Sequence, residues 1–236
     1  MKKSILLIAV LGLLTLGFTS CEKKSAGLTQ ITYYADIQLE GDDYMVIEKG
    51  STYEEPGFSA TMAGQDVTSR LTIYSDLDTS KSGVYTITYS MVNDDGFPSS
   101  ASRTVVVLDF NDPVEGFWYV TPTSFREYNG KVVEYGAPFE ILIIGEGDGV
   151  YYVDDLFAGW YAQRAGYGSN YAMEGEIQIA ADGAISLLGS LVAGWGDSVE
   201  ALNDAKYDAA TSSIVYQAVY NKGTMFFNVT LIKEEL

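Results

Sequence analysis

Residues 78–89 read Asp-Thr-Ser-Lys-Ser-Gly-Val-Tyr-Thr-Ile-Thr-Tyr. In an extended chain successive side chains point to opposite faces. Tyr85, Ile87 and Tyr89 therefore share one face and Thr86 and Thr88 the other. All five are aromatic or β-branched, the types that suit a pleated, half-buried surface. Gly83 opens the run where a turn needs positive φ or close approach. The same period of two recurs in Thr104-Val105-Val106-Val107-Leu108 and in residues 141–144, 177–179, 214–220 and 225–232. Turn signals separate the runs: Asp95-Gly96, Asn129-Gly130, Gly147-Asp148-Gly149, Asp182-Gly183 and Asn221-Lys222-Gly223. The last two read as hairpins. Only residues 198–206 read as a helical turn or two. The chain is all-β.

The 236 residues include 18 tyrosines and 24 glycines, a mixture that also leans towards strands and turns. The formal charge is −18. That disfavours nucleic acid, whose recognition needs basic patches against phosphate. Histidine is absent, which removes the commonest general base and the commonest zinc ligand. One cysteine allows neither an internal disulfide nor a cysteine-rich metal site. We expect no cofactor and no metal.

The lone Cys21 follows a basic start, Met1-Lys2-Lys3, an apolar run over residues 5–16 and small polar residues up to Ser20. The apolar run is shorter than the roughly 20 residues a membrane-spanning helix needs and matches a signal peptide. The arrangement resembles a bacterial lipoprotein signal, with Cys21 as the acylated first residue of the mature chain. Phe18 departs from the usual Leu three residues before the Cys, while Thr19 and Ser20 keep the small positions; such looser boxes are familiar in Bacteroidota lipoproteins. The resemblance implies a signal peptide over 1–20, a tether over 21–30 and a lipid anchor in the outer membrane. Glu22-Lys23-Lys24 in place of an acidic run leaves open which membrane face is occupied. Losing Lys2 and Lys3 with the first twenty residues takes the formal charge from −18 to −20.

A boundary falls at Asp109-Phe110-Asn111-Asp112-Pro113, giving domains over 31–109 and 113–236. The Tyr53-Glu54-Glu55-Pro56-Gly57 turn, residues 78–89 and the closing Arg103-Thr104-Val105-Val106-Val107 strand resemble, in that order, the bacterial immunoglobulin-like domains of surface proteins. The resemblance implies a β-sandwich serving as spacer or interaction module. In the second domain, Gly116-Phe117-Trp118 resembles the first strand of lipocalin-like barrels, where the Trp plugs one end. The Arg that packs on that Trp is missing, with only Lys233 nearby, so barrel and sandwich both stay open. The two-domain layout resembles Bacteroidota surface lipoproteins associated with glycan uptake.

Residues 156–171 are aromatic yet rich in glycine, which suits a loop better than a central strand. Trp160, Tyr161, Tyr167 and Tyr171, with Arg164 among them, are candidates for stacking on sugar faces. Trp195, in Gly194-Trp195-Gly196-Asp197, has the same character. The competing reading is that these rings fill or close a barrel. Asp154-Asp155 and Glu174-Gly175-Glu176 invite comparison with glycosidase pairs. Adjacent strand residues diverge, however; Glu174 and Glu176 can share a face, but nothing near them in the sequence suggests a raised pKa or a cleft. We expect no catalytic residues and no enzyme. The expected role is non-catalytic glycan binding or an accessory part in glycan uptake. The alternative is a structural lipoprotein that binds an outer-membrane protein complex.

Overall fold

The structure, a computed structural model, describes residues 31–233. Cys21, the signal-peptide reading and the tether lie outside the described residues. Seven strands form the first domain: β1 (Asp36–Leu39), β2 (Tyr44–Glu48), β3 (Phe58–Met62), β4 (Gln65–Asp66), β5 (Thr72–Ser75), β6 (Gly83–Val92) and β7 (Pro98–Leu108). They make two sheets, ordered β1-β3-β4 and β2-β7-β6-β5, with β2 parallel to β7. Ile87 and Tyr89 face the space between the sheets with Val105 and Val107, against Ile37, Leu39 and Phe58.

The immunoglobulin-like motifs meet at one buried charge. Arg103 is fully buried and donates to the carbonyls of Glu40 (2.9 Å), Asp42 and Gly57 (3.4 Å) and to Glu55 Oε1 (3.0 Å). Tyr53 (2.6 Å) and Tyr89 donate to the other oxygen, Oε2. A buried guanidinium persists only when paired and hydrogen-bonded.

Ten further strands form one curled antiparallel sheet: β8 (Gly116–Val120), β9 (Phe125–Tyr128), β10 (Lys131–Glu134), β11 (Glu140–Gly147), β12 (Val150–Val153), β13 (Met173–Ile179), β14 (Ile185–Val192), β15 (Ala201–Asp208), β16 (Ser213–Tyr220) and β17 (Met225–Lys233). β17 pairs along its whole length with β16 and on its other edge with β9 and then β8. The sheet thus curls round into an open barrel whose seam lies between β14 and β15. That seam is bridged at Ala184–Lys206, and Val192 bridges to Asp197 at its other end. The expectation of a helical turn at 198–206 is corrected, since Ala201–Asp208 is strand β15.

The barrel interior is filled by side chains such as Ile141, Ile143, Leu156, Phe157, Met173 and Phe227. One internal space of about 10 Å³ is left beside Leu156 and Tyr216, at the lower limit for a single water. One end is closed by Trp118, whose indole N–H donates to the Val114 carbonyl (2.8 Å). Lys233 takes the place of the missing arginine. Its Nζ lies 6.0 Å from the centre of the Trp118 ring and donates to the carbonyls of Asp112 and Pro113.

The two domains pack directly. Val105 and Val107 face the sandwich core, while Val106 and Leu108 on the opposite face join Phe117, Leu142 and Ile144 of the barrel. A strand covered on both faces reads as a continuous apolar run, which explains Val105-Val106-Val107-Leu108. Glu115, buried at the junction, accepts from Ser82 Oγ (3.0 Å) and the Asp109 N–H (2.9 Å). A Cβ at Gly145 would run into this carboxylate, so the glycine makes room for the clasp.

Candidate aromatic site at the closed end of the barrel

The connection from β12 to β13, residues 154–172, caps the barrel end opposite Trp118. Connections of that length without a strand or long helix of their own are uncommon and tend to carry function. Asp155 organises it. Oδ1 accepts from the N–H groups of Phe157 (2.8 Å) and Met173 (2.9 Å), and Oδ2 from Gly159 (3.0 Å). Burial pushes the Asp155 pKa up to about 6, against the pull of those three donors. Tyr216 and Tyr135 donate to the carbonyls of Leu156 (3.1 Å) and Phe157 (2.7 Å). Phe157, fully buried, packs against Phe227, Tyr220 and Tyr161 with ring centres 4.5, 5.0 and 5.4 Å away. Gly159, at φ +82°, then turns the chain into a π-helical turn over Trp160–Arg164.

The candidate residues separate into two groups. Trp160 is 3% exposed. The guanidiniums of Arg126 and Arg164 lie over its ring at 4.6 and 4.3 Å, and Tyr135 meets it edge-on. Arg164 is also tied to the Tyr135 carbonyl (3.0 Å). Trp160 and Arg164 therefore brace the cap; the Trp160 ring is buried and offers little to a ligand, whereas Arg164 stays exposed beside it. Arg126 and Tyr135 belong to this brace and carry no local sequence signal, because their partner is distant in the chain.

The other four meet at the surface. Tyr161 and Tyr171 are half-buried, Tyr167 is 55% exposed and Trp195 is 40% exposed. Trp195 meets Tyr161 edge-on at 4.8 Å, Tyr171 at 5.0 Å and Tyr167 at 6.4 Å. Tyr161 and Tyr167 are near-parallel at 6.0 Å. Two stretches separated by strands β13 and β14 thus form one cluster. Gly194 makes this contact possible, since a Cβ there would lie 2.7 Å from the Tyr171 ring and 2.9 Å from the Asn170 carbonyl oxygen.

Asp154 and Asp155 do not converge, since Asp155 turns into the cap. Glu174 and Glu176 share the exposed outer face of β13. Burial, with Asp155 and Glu140 nearby, pushes the Asp154 pKa up to about 7 despite backbone donors. Its Oδ1 is buried without a hydrogen-bond partner. Among the described residues, no group of three His, Cys, Asp or Glu is placed to hold a metal ion.

Comparison with known proteins gives this architecture its relatives. A profile described as a bacterial surface protein, Ig-like domain, matches residues 37–107, and a profile of a C-terminal domain matches residues 108–233. No curated protein matches. Among solved structures, a lipoprotein from Bacteroides thetaiotaomicron is 36% identical, with a TM-score of 0.70 over 85% of this chain and 100% of that one. Two structures from Clostridium perfringens ZmpB also match. One holds the M60 catalytic domain with CBM51-1 and CBM51-2, at 19% identity and TM-score 0.28 over 52% of this chain and 14% of that one. The other holds CBM51-2 in complex with GlcNAc and INT domains, at 16% and 0.27 over 56% and 34%. Superpositions that poor carry no inference about fold or ligand. The chain belongs to the family of the Bacteroides thetaiotaomicron lipoprotein, built as a bacterial surface immunoglobulin-like domain followed by that family's C-terminal β domain.

Proposed function

We propose that this protein is a lipid-anchored component of the cell envelope, acylated on Cys21, whose barrel domain binds glycan without catalysis as an accessory to glycan uptake. The observation that carries this reading is the interlocked surface cluster of Tyr161, Tyr167, Tyr171 and Trp195 on a braced cap. Rigid aromatic rings provide contact area with little entropy to lose, and their faces suit the C–H faces of sugars. The immunoglobulin-like domain packs on the barrel through Val106, Leu108, Phe117, Leu142 and Ile144, which gives the cluster a stiff support.

Native electrophoresis through gels containing neutral polysaccharides tests the binding. The protein is retarded by at least one of them. Tyr167→Ala and Trp195→Ala each weaken retention about tenfold or more, as expected for a binding anchor near 1.4 kcal/mol. Tyr167→Ala, at the more exposed ring, leaves thermal stability nearly unchanged, whereas Trp195→Ala also gives up ring contacts with Tyr161 and Tyr171, so Tyr167→Ala is the cleaner test of binding. No retardation by any polysaccharide, together with a protein partner that co-purifies from membranes, would transfer the role to envelope assembly. The anchor is tested separately. Cys21→Ala moves the protein from the membrane fraction to the soluble fraction, because acyl chains supply the hold; continued membrane association contradicts it.

A further inference from the structure

Gly189 in β14 is a glycine that the fold does not require. Five described glycines have φ outside the positive range: Gly83, Gly145, Gly175, Gly189 and Gly194. In four of them a neighbour occupies the space of the missing side chain, namely Tyr85, Glu115, Leu156 and Tyr171. At Gly189 a Cβ would meet no atom within 4 Å. The β13–β14 register shifts beside it, between Glu176↔Gly189 and Ile177↔Leu187, but a bulge demands glycine only where φ is positive. Glycine weakens a strand, and one that internal packing does not call for leaves bare backbone open to the close approach of an external group.

The open space is a groove of about 290 Å³ on the outer face of β12–β14, lined by Tyr152, Glu174, Glu176, Ser190 and Leu191 around Gly189. Tyr152 also lines the larger cleft between the domains, of about 520 Å³, with Lys49 and Ser82. The chemistry of the groove is selective. Glu174 and Glu176 repel an anion. An apolar peptide would cover both carboxylates without pairing them, which is costly. A neutral sugar ring satisfies every wall: its C–H face lies on Tyr152, its hydroxyls donate to Glu174 and Glu176, and its edge fits over the bare backbone of Gly189.

We infer that this groove is a second carbohydrate subsite, taking one neutral pyranose of a longer glycan. It rests on the reading of the protein as a glycan binder but uses none of the four clustered rings. The two places are linked by one hairpin. Tyr171 precedes β13 and Trp195 follows β14, while Glu176 pairs with Gly189 between them. A short saccharide occupies the cluster alone, and a longer one reaches the groove.

Calorimetric titration of the full-length protein in detergent tests this with di- and hexasaccharides of the gluco, manno, xylo and N-acetylglucosamine series. For a series that binds, the hexasaccharide binds the wild type about tenfold more tightly than the disaccharide. Gly189→Phe removes that gain, leaves disaccharide binding unchanged and keeps or raises the melting temperature, since its Cβ meets nothing. Gly189→Ala, the milder variant, loses about threefold on the hexasaccharide alone. Undiminished hexasaccharide binding by a folded Gly189→Phe, with binding lost in Trp195→Ala, overturns the subsite and leaves the glycan reading standing. No binding of any series by the wild type overturns both.

Discussion

Arg103→Ala lowers the stability of the immunoglobulin-like domain by about 3–5 kcal/mol, the cost of breaking a buried ion pair by removing one partner. The side chain is fully buried, and its loss strands the carbonyls of Glu40, Asp42 and Gly57 as well as the Glu55 carboxylate. Lysine does not rescue it, because a single ammonium cannot reproduce a planar fork that serves several acceptors at once. Urea unfolding measures the effect; a change under about 1 kcal/mol would contradict this account. The pH dependence follows from Glu55. Burial raises its pKa, but the hydrogen bonds from Tyr53, Tyr89 and the Gly57 N–H, with the Arg103 charge, outweigh burial and hold it below the usual carboxylate range. A depressed acid adds stability that is full above its unfolded pKa, near 4.3, and is lost as pH falls through the lower folded value. The variant therefore loses part of the wild type's sensitivity to acid.

Asp155→Ala costs a similar amount, about 3–5 kcal/mol, because three buried N–H groups lose their acceptor at once. Asp155→Asn is intermediate. Its remaining oxygen can keep Phe157 and Met173, but its amide nitrogen then faces the Gly159 N–H. Hydrogen exchange over residues 157–172 separates this from a general loss of stability, since exchange there accelerates well before the barrel strands open. Saccharide binding falls with it, although Asp155 lies beneath the surface cluster. Unchanged exchange in the cap would contradict the assigned role.

How far these sites are legible in the sequence differs from place to place. Residues 84–89 declare a strand because every side chain suits a pleated surface, and the structure pairs Gly83–Val92 with residues 98–107 without a break. The helical reading of 198–206 fails for a local reason. A register shift between Asn203 and Lys206, with Asp204 at φ +51°, lets Leu202 and Ala205 both pack on the core, and a three-residue spacing mimics a helix face. Trp160 and Trp195 look alike in sequence, each in a glycine-rich aromatic stretch. Only contacts distant in the chain separate them, since Arg126 and Tyr135 cover Trp160 and leave Trp195 at the surface. Arg103 stands in a recognisable motif, but its acceptors lie some fifty to sixty residues earlier in the chain.

Tryptophan fluorescence during saccharide titration shows whether glycan binds at the clustered rings. Trp118 and Trp160 are 0% and 3% exposed, so Trp195, at 40%, is the indole a ligand at the cluster can touch. Emission changes saturably when a saccharide that binds is titrated in, and the change is abolished in Trp195→Phe. An equal change in Trp195→Phe, or saccharide binding by calorimetry that leaves wild-type emission untouched, would contradict binding at the cluster.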